Sequence, residues 1–145
     1  MTTLDALQAT LAAEHAALHV VGALGAQTSE SGSPGLYAAL QDAYVQHRAQ
    51  RDRLERELRD RGAEPVAAEP AYELPDRLAA VPAVERRARE LETDCAAAYA
   101  SLVGHTADDL RRWAVEVLVR TAVRGLAFRG TPEMFPGVGE HADRW

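Results

Sequence analysis

The sequence predicts an all-α protein in which four helices form two hairpins joined by a long crossover. Three observations predict it. Hydrophobic residues make up 47% of the chain but aromatics only 6%, and the excess is alanine. That composition suits closely packed helices rather than sheets, which draw on β-branched and aromatic residues. Apolar residues recur at steps of three and four over long stretches, the period of one helix face. Between the second and third stretches, Pro65, Pro70 and Pro75 punctuate an Ala-rich segment too long for a tight turn. The expected organisation is a bundle over residues 1–130 and an irregular tail over 131–145.

At 145 residues the chain is one domain, long enough to bury a core. A net charge of −6 argues against a nucleic-acid partner. All sixteen basic residues are Arg, a bias that codon usage in a high-GC genome explains. Cys95 is the one cysteine and has no internal disulfide partner. No stretch approaches the roughly 20 apolar residues of a membrane span. The N-terminus, Met1 to Asp5, has neither a basic nor an apolar leader region. The expectation is a cytoplasmic protein.

The first helix starts at Thr2 or Thr3 with Asp5 in its first turn. Its stripe is Leu4, Leu7, Leu11, Glu14, Leu18 and Val21, so Glu14 falls where a sixth aliphatic residue is expected. The second helix opens at Ser33-Pro34 and stops at Gly62. Its stripe reads Tyr37, Leu40, Tyr44, His47, Arg51, Leu54 and Leu58, with leucines towards the ends and polar groups in the middle. The crossover, 63–80, can travel the length of a bundle at about 3.3 Å per residue.

The third helix runs from Pro82 to about Val103, with Val84, Ala88, Leu91, Cys95, Ala98 and Leu102 inward and Glu92 adjacent. Thr106 and Asp109 resemble a capping box for the fourth helix, which extends to about Arg129. That helix is apolar over most of its circumference, and a homodimer through it is expected. Its polar stripe, Glu116, Arg120 and Arg124, reads as a solvated face, although Glu116 could instead turn inward.

Hairpin geometry puts Glu14 level with Tyr44, and Glu92 and Glu116 at similar heights in the second pair. Glu14, Tyr44, His47 and Arg51 therefore form a candidate buried polar belt, in which acid, imidazole and guanidinium would neutralise one another. A small polar or anionic ligand could occupy a pocket beside the same four residues. His15, His19, His105 and His141 read as surface residues, and Cys95 as a small core residue. No nucleophile–base pair, phosphate-cradling loop or zinc spacing is present in the sequence.

Two hairpins with a long crossover resemble the ferritin-like superfamily. Its di-iron members carry a Glu on helices 1 and 3 and a Glu-x-x-His on helices 2 and 4. The resemblance implies Glu14, His47, Glu92 and Glu116 as metal ligands, with iron or manganese as the metal of an oxidoreductase. Tyr44 stands where one Glu would be, and Val119 where one His would be. On that departure no cofactor is expected, and the chain reads as a structural or binding module. A closer resemblance is to an uncharacterised ferritin-like family, DUF4439. It is carried by Ala13-Glu14-His15-Ala16-Ala17, His47-Arg48-x-x-Arg51-Asp52, the Pro-rich crossover from Gly62 to Pro75, Ala122-Val123-Arg124 and Phe135-Pro136-Gly137.

Overall fold

The computed structural model describes residues 1–76 and 78–139. The described residues form four helices, α1 (Thr3–Gln27), α2 (Pro34–Asp60), α3 (Val81–Gly104) and α4 (Asp108–Ala127), with no strand. Thr2 caps α1 through a reciprocal capping box with Asp5. Pro34 occupies the first position of α2, where its missing N–H costs nothing. Gly62, at φ +72°, supplies the left-handed residue just past the end of α2. The expected capping box of α4 does not form. The helix starts at Asp108 without a side-chain cap, and the Thr106 hydroxyl donates back to Leu102 O at 2.7 Å.

Two apolar clusters fix how the helices run. One gathers Leu7 and Leu11 of α1, Leu54 and Leu58 of α2, Tyr99 and Leu102 of α3, and Leu110 and Val117 of α4. The other gathers Val20 and Leu24, Leu40 and Ala43, Val84 and Leu91, together with Leu78 and Phe128. The start of α1 therefore lies beside the ends of α2 and α3 and the start of α4. Thr3 confirms that end by donating to His105 O at 2.6 Å. Hence α1 and α4 run one way, α2 and α3 the other, and the chain between α2 and α3 must traverse the bundle.

The crossover makes that passage along the outside of α1. Gln8 clamps its start, donating to Glu64 O at 2.7 Å and accepting from Val66 N at 2.8 Å. His15 Nε2 donates to Val66 O at 2.9 Å, and the His19 ring packs on Tyr72 with centroids 5.2 Å apart. The two histidines lie on or near the surface as expected, but they hold the connection down; His141 lies outside the described residues.

The tail packs on the bundle at Gly137. There φ is +86°, and a Cβ would sit 2.5 Å from Ala96 O, so neither the conformation nor the space admits a side chain. No helix among the described residues is long and apolar enough to cross a membrane.

Helix faces differ from expectation at Leu4, which is 38% exposed, at Ala98, whose inward place Tyr99 takes, and more widely in α2 and α4. In α2 the inward series is Leu40, Ala43, His47, Gln50, Leu54 and Leu58, so Ala43 and Gln50 take the places read for Tyr44 and Arg51. In α4 the buried residues are Leu110, Ala114, Val117, Thr121 and Arg124. Val115, Val119 and Val123 are instead 42%, 54% and 61% exposed.

Candidate functional site: a buried belt of charge

Between the two apolar clusters every helix contributes a polar group. Glu14 comes from α1, His47 and Gln50 from α2, Glu92 and Tyr99 from α3, and Thr121 and Arg124 from α4. All seven are buried, Glu14 and His47 completely. Four ionisable groups in an interior would cost several kcal/mol each if left unpaired. Their positions at three- and four-residue steps along each inward stripe bring them to one level, where they pair.

Glu14 accepts three hydrogen bonds. His47 Nδ1 donates to Oε2 at 2.7 Å, while Tyr99 OH and Gln50 Nε2 donate to Oε1 at 2.7 and 2.8 Å. Glu92 likewise accepts three. His47 Nε2 and Arg124 Nε reach Oε1 at 3.1 and 2.9 Å, and Arg124 Nη2 reaches Oε2 at 3.0 Å. Arg124 also donates to Gln46 Oε1 at 2.7 Å and to Thr121 Oγ1 at 3.2 Å. The guanidinium is thus held by a fork onto one carboxylate, the strongest geometry such a pair offers.

His47 must carry both ring protons to donate to two carboxylates at once. Burial alone would lower its pKa, but the hydrogen bonds and charges of Glu14 and Glu92 outweigh burial and raise it to about 9. Burial pushes the Glu92 carboxyl up, yet His47 and Arg124 more than offset it and hold the group below the usual range. Arg124 is shifted upward, its own burial being outweighed by Glu92. The belt pairs two carboxylates with two cations, and their formal charges sum to zero. Burial, reinforced by Glu14, pushes the Tyr99 hydroxyl well up; burial and the same acids do so for the Cys95 thiol, and both stay protonated.

Of the residues read from the sequence, Glu14, His47 and Glu92 meet here. Arg51, Tyr44 and Glu116 do not. Arg51 sits at the bundle surface, its side chain 31% exposed, and pairs with Asp52 at 2.7 Å. Tyr44 is 40% exposed. Glu116 is exposed on the outer face of α4, where Val117 takes the inward position of that turn. The physical reason is phase. The inward stripe of α2 steps from Leu40 to Ala43, and that of α4 from Val117 to Thr121 and Arg124, which rotates Tyr44, Arg51 and Glu116 off the core.

The guanidinium of the belt comes instead from Arg124, which was read as solvated. Its signal was present: Leu110, Ala114, Val117, Thr121, Arg124 and Phe128 follow alternating steps of four and three. The valines on the other face concealed it. Gln50, three residues after His47, was missed because Arg51, four residues after it, fits the same helical period.

The donor set does not fit a pair of iron ions. Such a centre takes carboxylate and imidazole from all four helices, whereas α4 presents a guanidinium aimed at Glu92. An ion between His47 and Glu92 would face that fixed positive charge directly. Two cavities of the bundle are walled by residues other than Tyr44, His47, Arg51 and Glu14. A small cavity of about 50 Å³, room for a few waters, lies on the opposite side. Its walls include Glu92, Thr121, Gly125 and Gly130, with Arg89 and Glu133 beside them.

A crystal structure of a conserved hypothetical protein, rv2844, from Mycobacterium tuberculosis superposes with a TM-score of 0.80 at 30% identity, over 88% of this chain and 94% of that one. No curated protein matches the chain. The family model described as a domain of unknown function, DUF4439, matches residues 6–140. Matched over nearly its whole length, the chain belongs to the DUF4439 family.

Proposed function

We propose that the chain is a non-catalytic structural or binding module of ferritin-like descent, in which a charge-balanced belt locks four helices where metal-dependent bundles hold ions. The observation that carries this reading is Arg124. It brings to the helix-4 side of the belt the positive charge that a metal would otherwise supply, and it forks onto Glu92 within 2.9–3.0 Å. The single long crossover and the antiparallel pairing of α1 with α2 and of α3 with α4 support the ferritin-like relationship.

An iron- or manganese-dependent oxidoreductase built on Glu14, His47, Glu92 and Glu116 finds less support, because Glu116 lies on the opposite face of its helix from Glu92. A homodimer through α4 belongs to the same proposal, and the exposed Val115, Val119, Val123 and Leu126 support it.

Metal analysis of protein purified without chelator tests the reading. The expected result is no stoichiometric iron or manganese. Either metal present at one or two ions per chain, and lost in Glu14→Ala, overturns it.

A further inference from the structure

One buried group in the belt has no part in the network. Cys95 is 1% exposed, faces Glu14 from α3, and its thiol makes no hydrogen bond among the described residues. Its sulfur, a Glu14 carboxylate oxygen and a ring nitrogen of His47 all lie within 4.8 Å of one another. Sulfur, nitrogen and oxygen donors converging from three helices match the ligand preference of zinc. Zinc bonds of about 2.0–2.3 Å set tetrahedral donors roughly 3.5 Å apart, so the sulfur would draw in while His47 Nδ1 and Glu14 Oε2, now 2.7 Å apart, would spread to that spacing.

We infer that Glu14, His47 and Cys95 form a site for one zinc-class divalent cation, with Glu92 orienting the imidazole from outside. The inference rests on the reading of the belt as a non-catalytic module without a two-iron centre, and it names what that module takes. The ion enters between His47 Nδ1 and Glu14 Oε2, atoms now joined by a hydrogen bond of 2.7 Å. The proton on Nδ1 and the proton of the Cys95 thiol leave, and the three donors bind the ion.

Two positive charges arrive as two protons depart, so the belt stays neutral with either occupant. Arg124 need not move, because Glu92 keeps its charge and its fork. The Nε2–H of His47 still donates to Glu92, giving the carboxylate–histidine–metal arrangement that fixes a ligand ring in place. Tyr99 and Gln50 still hold the other oxygen of Glu14. Three protein ligands leave a fourth position for water.

Cobalt(II) titration of chelator-treated protein tests the site, because a cobalt–thiolate bond absorbs in the near-ultraviolet and a four-coordinate ion absorbs in the visible. The expected result is one cobalt per chain with both absorptions, displaced by zinc. Cys95→Ala removes the thiolate band and weakens binding at least 100-fold. That variant leaves every hydrogen bond of the belt in place, and an unchanged far-ultraviolet circular dichroism spectrum shows that it folds.

Cobalt bound without the thiolate band, binding unaffected by Cys95→Ala, or no binding at all overturns the inference. None of those results touches the reading of the belt as a charge-balanced lock, which stoichiometric iron or manganese alone would overturn.

Discussion

Arg124→Met is the sharpest perturbation of the belt. The substitution keeps an unbranched, buried side chain and removes the guanidinium. Glu92 then loses two of its three donors and retains only His47 Nε2–H at 3.1 Å. Gln46 also loses the bond to its side-chain oxygen. Removing one partner of a buried pair costs about 3–5 kcal/mol, because the remaining charge stays desolvated. That is a large fraction of the 5–15 kcal/mol that stabilises a typical domain.

At about 2–4 °C per kcal/mol for a chain near this size, the melting temperature should fall by roughly 6–20 °C. Pairing the change with Glu92→Gln removes the orphaned charge, and the amide oxygen can still accept from His47. The double variant leaves Glu14 and His47 neutral together and should recover about 2 kcal/mol. Urea unfolding followed by circular dichroism reads all three proteins. A single variant that loses less than about 1 kcal/mol, or a double variant no more stable than the single, would refute the claim that Arg124 is the counter-charge of Glu92.

Three further outcomes follow from the same geometry. Because the pKa of His47 is raised from 6.5 to about 9, its contribution is complete below pH about 6.5 and is lost as pH rises through 9. The loss should amount to about 3 kcal/mol in urea titrations and be absent in His47→Gln. Tyr99→Phe removes a donor from buried Glu14 and should cost about 1–3 kcal/mol, whereas Arg51→Ala, at an exposed pair, should stay within about 0.5 kcal/mol; equal costs would place the guanidinium of the belt wrongly. A homodimer through α4 should appear in sedimentation velocity at high concentration and vanish in Val119→Glu. The stripe consists of Val115, Val119, Val123 and Leu126, against the roughly 20–30 residues a side of a stable interface, so the association should be weak.

The residue pattern was enough to place the helices, to order them and to reveal polar groups at core spacing in the first two. Periodicity is local, and Glu14 and His47 stood out because each interrupts a run of leucines on its own helix. The phase of α2 and α4, and hence the identity of their inward residues, was settled only when the four helices packed. A helix rotated by a third of a turn satisfies its own hydrogen bonds equally well, and its sequence offers two stripes of nearly equal credibility.

Packing breaks that tie. Arg124 is inside because Glu92 on the neighbouring helix needs a cation, and no property of α4 alone records that need. Val119 and Val123 are outside because the same helix cannot turn both faces to the core. Tyr44, Arg51 and Glu116 were misplaced for one reason: burial of a charge is decided by its partner, and the partner lies on another helix.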